Sequence, residues 1–514
     1  MFAAFPLLVV HYGNITATKY YAFLALTGLL LFGILFTVGG MLLDGYRFKI
    51  KLDRTFFVKP DFFLILFLLA GVLSFAFSPY KDLKNAAGQS VFLFGSGRYD
   101  GFLTILLYAI VFFLLSNYGS FGKRHIVIIA VVTIIMCVVT VVQLCGINIF
   151  GLYPAFNGKI TKYVSTVGNM DMFSGILCIF IPIVVTAYLV LDNSKIANIA
   201  LLTAQVLSIY TVLELGVSSG KLALFVTMLI LLPFMFRDEK RLFKLADFLA
   251  VLTFALLLHR FVEYKYIKAL EKTQIQIVFD GVSGALLLLG AALMAIRWGL
   301  HRLYTRKKLT LSALRGITIG EIVIPALLIV AISFSLIPIG AETEFGKLNL
   351  DIIGGATLEE EIVDLFAGKL TDASGTYRIG IWRNALQMGL KRPIFGTGIG
   401  TFLEAFKTYA DKAGLTERLG LIDTAHNEYL QLFCTVGLFG LMPYLAFLIL
   451  LAVKGFKNIF KNPYILILGA AVLCYCVQAF FSFSVVIVAP YFWMSAGLLY
   501  KEIKKEESHY EKQQ

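Results

Sequence analysis

The apolar residues of this chain fall into long runs that are separated by polar segments. Thirteen of these runs are long enough to cross a bilayer as α-helices. They lie near residues 20–43, 61–78, 101–118, 125–147, 171–191, 197–215, 221–236, 245–259, 280–297, 319–339, 429–453, 463–485 and 487–500. Residues 1–18 are apolar enough to add one short helix. The pattern predicts an all-α, polytopic membrane protein with about 12–14 transmembrane helices.

One polar segment, about residues 341–427, is much longer than the other loops and has room for a small folded cap. It divides the chain into four predicted parts. These are N-terminal transmembrane helices over 1–340, the long loop over 341–427, C-terminal transmembrane helices over 428–500 and a tail over 501–514. The tail is short and charged, so we expect it to be frayed.

Within the long loop, residues 376–391 have the periodicity of an amphipathic helix. Four residues share its apolar face: Ile379, Trp382, Leu386 and Leu390. The simplest interpretation is a helix at the membrane surface, with Trp382 at the interface and arginines that extend to water. The glycines of 393–400 come next, and their spacing lets the backbone approach a ligand or a helix end closely.

Composition agrees with this pattern and removes some classes of function. The chain is 59% hydrophobic, with a mean hydropathy of +0.83, which excludes a soluble protein of this length. All six cysteines fall in predicted spans. The pair Cys474 and Cys476 has no histidine or acidic neighbour, so we interpret it as buried free thiols and not as a metal site.

The net charge of +13 is spread over the loops, so membrane topology explains it better than nucleic-acid binding, and we expect no nucleic-acid partner. Outside the long loop, one alternating set of loops holds 25 Lys and Arg residues and the other holds 11. Positively charged short loops stay in the cytoplasm. We therefore expect the long loop to be extracytoplasmic and the C-terminus to be cytoplasmic.

Two residues of the long loop carry the candidate chemistry. Arg378 supplies a planar guanidinium, whose paired N–H donors fit phosphate oxygens. His426 supplies an imidazole that exchanges a proton near neutral pH. Asp423 and Glu428 flank the histidine and are candidates to orient it or to act in its place. The combination favours chemistry on a lipid-linked phosphate at the bilayer surface.

The order of motifs between 374 and 444 resembles the O-antigen ligase and O-antigen polymerase superfamily of bacterial membrane enzymes. The shared pattern is an arginine before a tryptophan-containing helix, a glycine run, H-N-x-Y-L and G-x-x-G. Here these are Arg378 with Trp382, residues 393–402, residues 426–430, and Gly437 with Gly440. Weaker matches are R-x-[DE]-G at 98–101 and T-x-G-N at 166–169.

The resemblance implies transfer of a glycan from undecaprenyl-diphosphate to a hydroxyl of a glycan, lipid or wall-polymer acceptor, in the bacterial cytoplasmic (inner) membrane. It implies His426 and Arg378 as catalytic residues. It also implies four substrate-binding residues: Lys221, Arg98, Trp382 and Asn427. Many family members have S-R-G before a span, whereas this chain has Ser-Gly-Lys at 219–221. The resemblance implies that Lys221 supplies the charge of that arginine as a point charge and not as a fork, and the alternative is that this position is not functional here.

The chain has no external D-x-D motif, so we expect a metal-independent reaction without a cofactor. We expect inversion at C1, since no carboxylate is evidently placed as a nucleophile. We favour a ligase, but a polymerase would use the same chemistry with a different acceptor. From other classes, a transporter or flippase and a non-catalytic scaffold stay open. Span-end positions of Asp171 and Glu214 disfavour coupled transport.

Overall fold

The computed structural model describes residues 1–10, 15–44, 57–144, 147–151, 164–271, 377–414 and 422–511, with 298–304 and a few neighbouring positions. The α-helices of these residues are α1 Ile15–Leu43, α2 Pro60–Ala76, α3 Val91–Phe94, α4 Phe102–Tyr118, α5 Lys123–Leu144, α6 Met170–Val190, α7 Lys195–Leu215, α8 Ser218–Met235, α9 Glu239–Glu271, α10 Arg378–Leu390, α11 Phe402–Lys412, α12 Glu428–Asn458, α13 Pro463–Gln478 and α14 Ala489–Glu511. A 3-10 turn covers Ile149–Gly151.

The helices confirm the predicted all-α, multi-pass membrane fold. Eleven of the thirteen predicted spans coincide with a helix, and the spans near 280–297 and 319–339 lie outside the described residues. Among the described helices, six are long and apolar enough to cross a membrane: α1, α5, α6, α7, α8 and α12. Three more apolar helices are shorter: α2, α4 and α13. The long loop contributes α10 and α11, and most of its remainder lies outside the described residues.

Two predicted boundaries are wrong. The span expected over 463–485 ends as a helix at Gln478, and an irregular segment over 479–488 follows it. The tail expected to be frayed instead continues α14 to Glu511. It is held by charged contacts, because Lys504 donates to the Asn117 side chain at 2.9 Å and Glu507 accepts from Lys454 at 2.7 Å.

Helix α6 is the centre of the bundle. Nearly all of its side chains from Phe173 to Leu189 are buried, and it packs against α5, α7, α8 and α13. A helix that is apolar on every side is stable only when it is surrounded. At its first turns, Gly175 and the facing Gly220 of α8 allow close approach, since a Cβ on Gly220 would meet Ser174 Oγ at 1.9 Å.

Helix ends gather at one side of the bundle, which we call the site face. The C-terminal ends of α2, α7 and α13 and the N-terminal ends of α4, α6, α8, α12 and α14 lie there. Contacts between distant segments define this face: Ser78 Oγ donates to Thr397 O at 2.5 Å, and Glu428 N donates to Ala479 O at 2.9 Å. Helix α1 covers the outside, with 11% of its apolar window buried.

Candidate active site at one membrane face

Arg98 reaches the site face from a tight loop between α3 and α4. Gly95 and Gly97 have positive φ angles of 80° and 143°, which glycine adopts without strain. The Ser96 hydroxyl fastens this loop to the long loop by donating to Gly400 O at 2.7 Å. Arg98 then donates from Nε and Nη2 to a single oxygen, Oδ2 of Asp423, at 2.7 and 2.5 Å. The loop therefore delivers a guanidinium that is already paired with a carboxylate.

His426 lies immediately before α12, with a positive φ of 48°. The next residue, Asn427, caps the helix, since its side-chain oxygen accepts from Leu430 N at 2.9 Å. The imidazole packs edge-on against the ring of Phe483, at 5.4 Å between centroids. The same ring contacts Arg98, whose guanidinium carbon lies 4.6 Å from its centre. Phe483 thus holds the arginine and the histidine beside one another.

Backbone strain concentrates at these positions. Four non-glycine residues of the described chain have positive φ angles, and three of them are Tyr99, Tyr377 and His426. Tyr99 and Tyr377 directly adjoin Arg98 and Arg378. Such conformations cost about 1–3 kcal/mol each, and they persist where the surrounding structure holds them for function. The strain therefore falls on His426 itself and on the residues next to Arg98 and Arg378.

Arg378 begins α10, and both it and Trp382 keep a donor unused. The Nε of Arg378 and the Nε1 of Trp382 are buried and have no hydrogen-bond partner among the described residues. A buried N–H without an acceptor is costly, which favours a bound acceptor at this point. Trp382 packs against Phe481, at 6.0 Å between ring centroids. Both donors therefore suit a phosphate or a sugar oxygen.

The predicted helix 376–391 is confirmed as α10, but the face that packs on protein is not the predicted apolar face. The buried side chains are Ile381, Ala385 and Met388. Leu386 and Leu390 of the predicted face are 46% and 59% exposed. The reason is that α10 packs on α12 through Ala385, whose carbonyl accepts from Cys434 Sγ at 3.1 Å, and through Gly389 beside Phe433. Leu386 and Leu390 lie on the other side and face outward, in keeping with a position at the membrane surface.

The glycine run after α10 fits into a break in α12. Gly437 has φ 65° and ψ −170°, which interrupts the helix. The freed carbonyls of Cys434 and Thr435 accept from the N–H groups of 397 and 398 at 2.9 and 2.8 Å, and Leu438 N donates to Pro393 O at 2.7 Å. Backbone groups in a membrane protein must be satisfied internally. The run therefore approaches a helix and anchors the site to α12.

The environment of His426 lowers the pKa of its imidazole. Burial lowers the pKa of His426 below its ordinary value, and Arg378 and Arg98 lower it further, while Asp171 and Asp423 oppose them. These four charges come from α10, from the loop before α4, from the first turn of α6 and from the segment before α12. A neutral imidazole at neutral pH is the form that accepts a proton.

Glu428, the second flanking carboxylate, is occupied elsewhere. It is buried and accepts hydrogen bonds from Tyr444 at 2.7 Å and from Tyr475 at 2.8 Å. It lines a small, mostly apolar cavity, together with Asp100. Burial raises the pKa of Asp100 to about 6. Glu428 therefore connects α12 to α13, and Asp423 is the flanking carboxylate that lies at the site.

Lys221 lies in the first turn of α8, on the site face, because Gly220 packs against Ser174 at the start of α6. It is not among the charges that act on His426. The T-x-G-N motif has a structural role in the same region. The Thr166 hydroxyl donates to Pro6 O at 2.7 Å, and Asn169 caps the start of α6. Arg98 and Arg378 thus contribute to the pKa of His426, whereas Lys221 is placed by its helix on the same face.

Sequence reasoning did not identify Phe483 or the pairing of Arg98 with Asp423. The Ser-Phe-Ser sequence at 482–484 interrupts an apolar run and was the available signal for a loop there. The ion pair joins residues 325 positions apart, so it follows from helix packing and not from any local pattern.

Residues 273–445, about a third of the chain, match the family model described as O-antigen ligase. This match confirms the resemblance to the O-antigen ligase and polymerase superfamily. The O-antigen ligase region contains Arg378, Trp382, His426 and Asn427, whereas Arg98 and Lys221 lie before it. No curated protein matches the chain.

Proposed function

We propose that this protein is a membrane glycosyltransferase that moves a glycan from undecaprenyl-diphosphate to an acceptor hydroxyl, in the manner of a ligase. One observation carries the proposal: two arginines, Arg98 and Arg378, lie on the same membrane face as His426, where Arg98 and His426 pack on the same ring of Phe483 and both arginines lower the pKa of the histidine. The O-antigen ligase match over residues 273–445 supports the same class of function.

The two arginines bind the diphosphate of the donor. A guanidinium donates paired hydrogen bonds to phosphate oxygens, and it stabilises the charge that grows on the leaving diphosphate. The Nε of Arg378, which has no partner among the described residues, is one such donor. Two fixed cations supply the charge stabilisation that a metal supplies in other transferases, so we propose a metal-independent reaction.

His426 acts as the general base. It takes the proton of the acceptor hydroxyl while the oxygen attacks C1 of the donor sugar and the bond from C1 to the phosphate oxygen breaks. The lipid diphosphate leaves with the electron pair of that bond. In this proposal neither flanking carboxylate attacks C1, because Glu428 is held by Tyr444 and Tyr475 and Asp423 belongs to the charge network of Arg98 and His426. A direct displacement with inversion at C1 follows.

Trp382 contacts the glycan in this proposal. Its indole offers an apolar face to the sugar ring and a buried N–H that has no acceptor among the described residues. Asn427 supports His426 by capping α12, and its amide nitrogen remains a candidate for substrate contact. Lys221 supplies a further positive charge on the same face.

The site face is extracytoplasmic in this proposal. The opposite helix ends are rich in lysine and arginine, as shown by the short segments 123–124, 237–244 and 454–461. Basic short loops are retained in the cytoplasm. The glycan donor then reaches the site from the outer leaflet, and the C-terminal end of α14 is cytoplasmic.

A transfer assay with purified protein tests the proposal. The donor is a short undecaprenyl-diphosphate oligosaccharide, and products are resolved by mass with and without EDTA. A ligase consumes donor when a separate acceptor is supplied, whereas a polymerase produces a ladder of longer lipid-linked glycans without one. Activity that EDTA abolishes would contradict the metal-independent mechanism, and retention of the donor anomer in the product would contradict direct displacement.

The variant Lys221→Ala tests whether Lys221 binds the donor or only belongs to the scaffold around α6 and α8. If Lys221 binds the donor, this variant raises the donor KM by roughly 3- to 10-fold, as expected for loss of one exposed phosphate contact of about 1 kcal/mol. An unchanged KM would remove Lys221 from the binding site.

A further inference from the structure

His426 lacks one feature that an efficient general base has. A catalytic imidazole accepts a proton at one nitrogen while its other N–H is oriented by an acceptor, usually a carboxylate. In the described part of the chain, the ring of His426 is held by the ring of Phe483, which lies nearly perpendicular to it. No hydrogen bond to the imidazole is present within these residues.

Asp423 is the carboxylate best placed to supply the orienting bond. Asp423 lies three residues before His426. A short chain of side-chain contacts connects the two residues. Arg98 binds Asp423, Arg98 packs on Phe483, and Phe483 packs on His426. The other aspartate that raises the pKa of His426 is Asp171, which belongs to the first turn of α6.

Arg98 occupies Asp423 in the unliganded protein. Both N–H groups converge on Oδ2, at 2.7 and 2.5 Å, which leaves Oδ1 outside the arginine pair. The side chains of Arg98 and Asp423 are 33% and 39% exposed, so a ligand can reach the pair. A diphosphate carries more charge than a carboxylate and offers more acceptor oxygens to the same fork. It therefore competes for Arg98.

We propose that Asp423 is a positioning residue that Arg98 holds in the unliganded protein and that donor diphosphate releases to orient His426. The inference rests on the proposed function. Once released, Asp423 accepts a hydrogen bond from one imidazole N–H, while the other nitrogen faces the acceptor hydroxyl. During transfer the hydroxyl proton moves to that nitrogen, the oxygen bonds to C1, and lipid diphosphate departs with the electron pair.

The charged residues around His426 favour this release of Asp423. Four of them contribute to the pKa of His426: Arg378 on α10, Asp171 on α6, and Arg98 and Asp423 on the two adjoining loops. Bound diphosphate neutralises the arginines, whose charge disfavours imidazolium, and frees a carboxylate that favours it. The histidine becomes a stronger base when the donor is present, which restricts proton removal to the loaded enzyme.

The test compares Asp423→Asn with wild type, as full-length purified protein. Measurements are kcat, donor KM, binding of undecaprenyl diphosphate and the pH dependence of kcat. We expect kcat to fall roughly 10- to 100-fold, as for loss of an orienting partner. We expect binding of undecaprenyl diphosphate to be unchanged or tighter, because the variant no longer competes for Arg98. The acid limb of kcat should move to lower pH, since a negative charge is lost.

Asp171→Asn is the matched control, because it removes the other carboxylate that raises the pKa of His426, whereas the ion pair of Arg98 is with Asp423. It should shift the acid limb while the plateau kcat and diphosphate binding stay near wild type. Asp423→Glu should recover part of kcat, which a merely misfolded variant would not.

The proposal is overturned if Asp423→Asn keeps its plateau kcat. It is also overturned if diphosphate binding weakens in parallel with kcat, because Asp423 would then hold the fold of the binding site. Absence of transfer by wild type, with bound undecaprenyl diphosphate, would overturn the proposed function and this inference together. Transfer by wild type with an unaffected Asp423→Asn variant would overturn this inference alone.

Discussion

Arg378 combines a charge, burial and an unused donor in one side chain, because its Nε lacks a partner among the described residues. Arg378→Lys keeps the charge and removes the planar fork. We expect kcat/KM to fall roughly 10- to 100-fold, since hydrogen bonds to charged groups contribute about 1.5–3 kcal/mol. The matched control is Arg383→Lys, an exposed position on the same helix. Equal losses in the two variants would contradict a specific role for Arg378.

The acid limb of the reaction reports on His426. The active form of a general base is deprotonated, and burial together with Arg378 and Arg98 lowers the pKa of His426 below its ordinary value of 6.5. The ratio kcat/KM, which reports the unliganded enzyme, is therefore constant at neutral pH and falls as pH drops through that lowered pKa. Arg378→Gln removes a charge that lowers the pKa, so it should move the limb to higher pH. A profile in which the limb lies above 6.5 in wild type would contradict this assignment.

Sequence motifs were sufficient to identify Arg378, His426 and Arg98 as site residues of the proposal, because each belongs to a short local pattern. They were insufficient for the partners of these residues. Asp423 was recognised as a neighbour of His426, but its bond to Arg98 and the role of Phe483 depend on how α4, α12 and α13 pack. Contacts between residues hundreds of positions apart leave no trace in hydropathy or spacing.

At the scale of elements, the break in α12 is the feature on which the site depends. A Cβ at Gly437 would lie 2.2 Å from the carbonyl oxygen of Ile394, and its φ of 65° is unfavourable for other residues. Gly437→Ala should lower the free energy of unfolding by at least about 1–3 kcal/mol, and activity should fall with it. Thermal unfolding in detergent provides the measurement.

Gly469→Ala is the control for that experiment, since it lies within α13 and a Cβ there meets nothing within 4 Å. It should leave stability unchanged or raise it slightly. If Gly437→Ala unfolds at the same temperature as wild type, the loop over 393–400 does not depend on the helix break.

Hydropathy predicted the existence of the helices well and their ends less well. The runs that became α2, α6 and α7 were predicted to within a few residues, because apolar length alone decides whether a segment can cross a bilayer. Hydropathy placed most of the segment 479–488 in a predicted span, because its phenylalanines make this short segment as apolar as the runs on either side. It forms a loop because the chain must turn there to place α14 beside α4.

For the molecule as a whole, the account predicts that the site face and the C-terminal end of α14 lie on opposite sides of the membrane. Lys407→Cys adds an exposed thiol on α11, and Ser508→Cys adds one near the end of α14. In intact cells, a membrane-impermeant maleimide should label the first and spare the second until the membrane is permeabilised. The unmodified chain gives the background from native cysteines. Labelling of Ser508→Cys in intact cells would reverse the topology.

The central claim is that this protein breaks the bond between a glycan and its lipid diphosphate at His426. The most direct measurement is release of free undecaprenyl diphosphate from a lipid-linked oligosaccharide, by wild type and by His426→Ala in reconstituted vesicles. The account predicts release by wild type in the presence of acceptor, and a loss of at least about 100-fold in the variant, with donor binding retained. Intact donor that crosses the membrane without cleavage would contradict the account and identify a transporter.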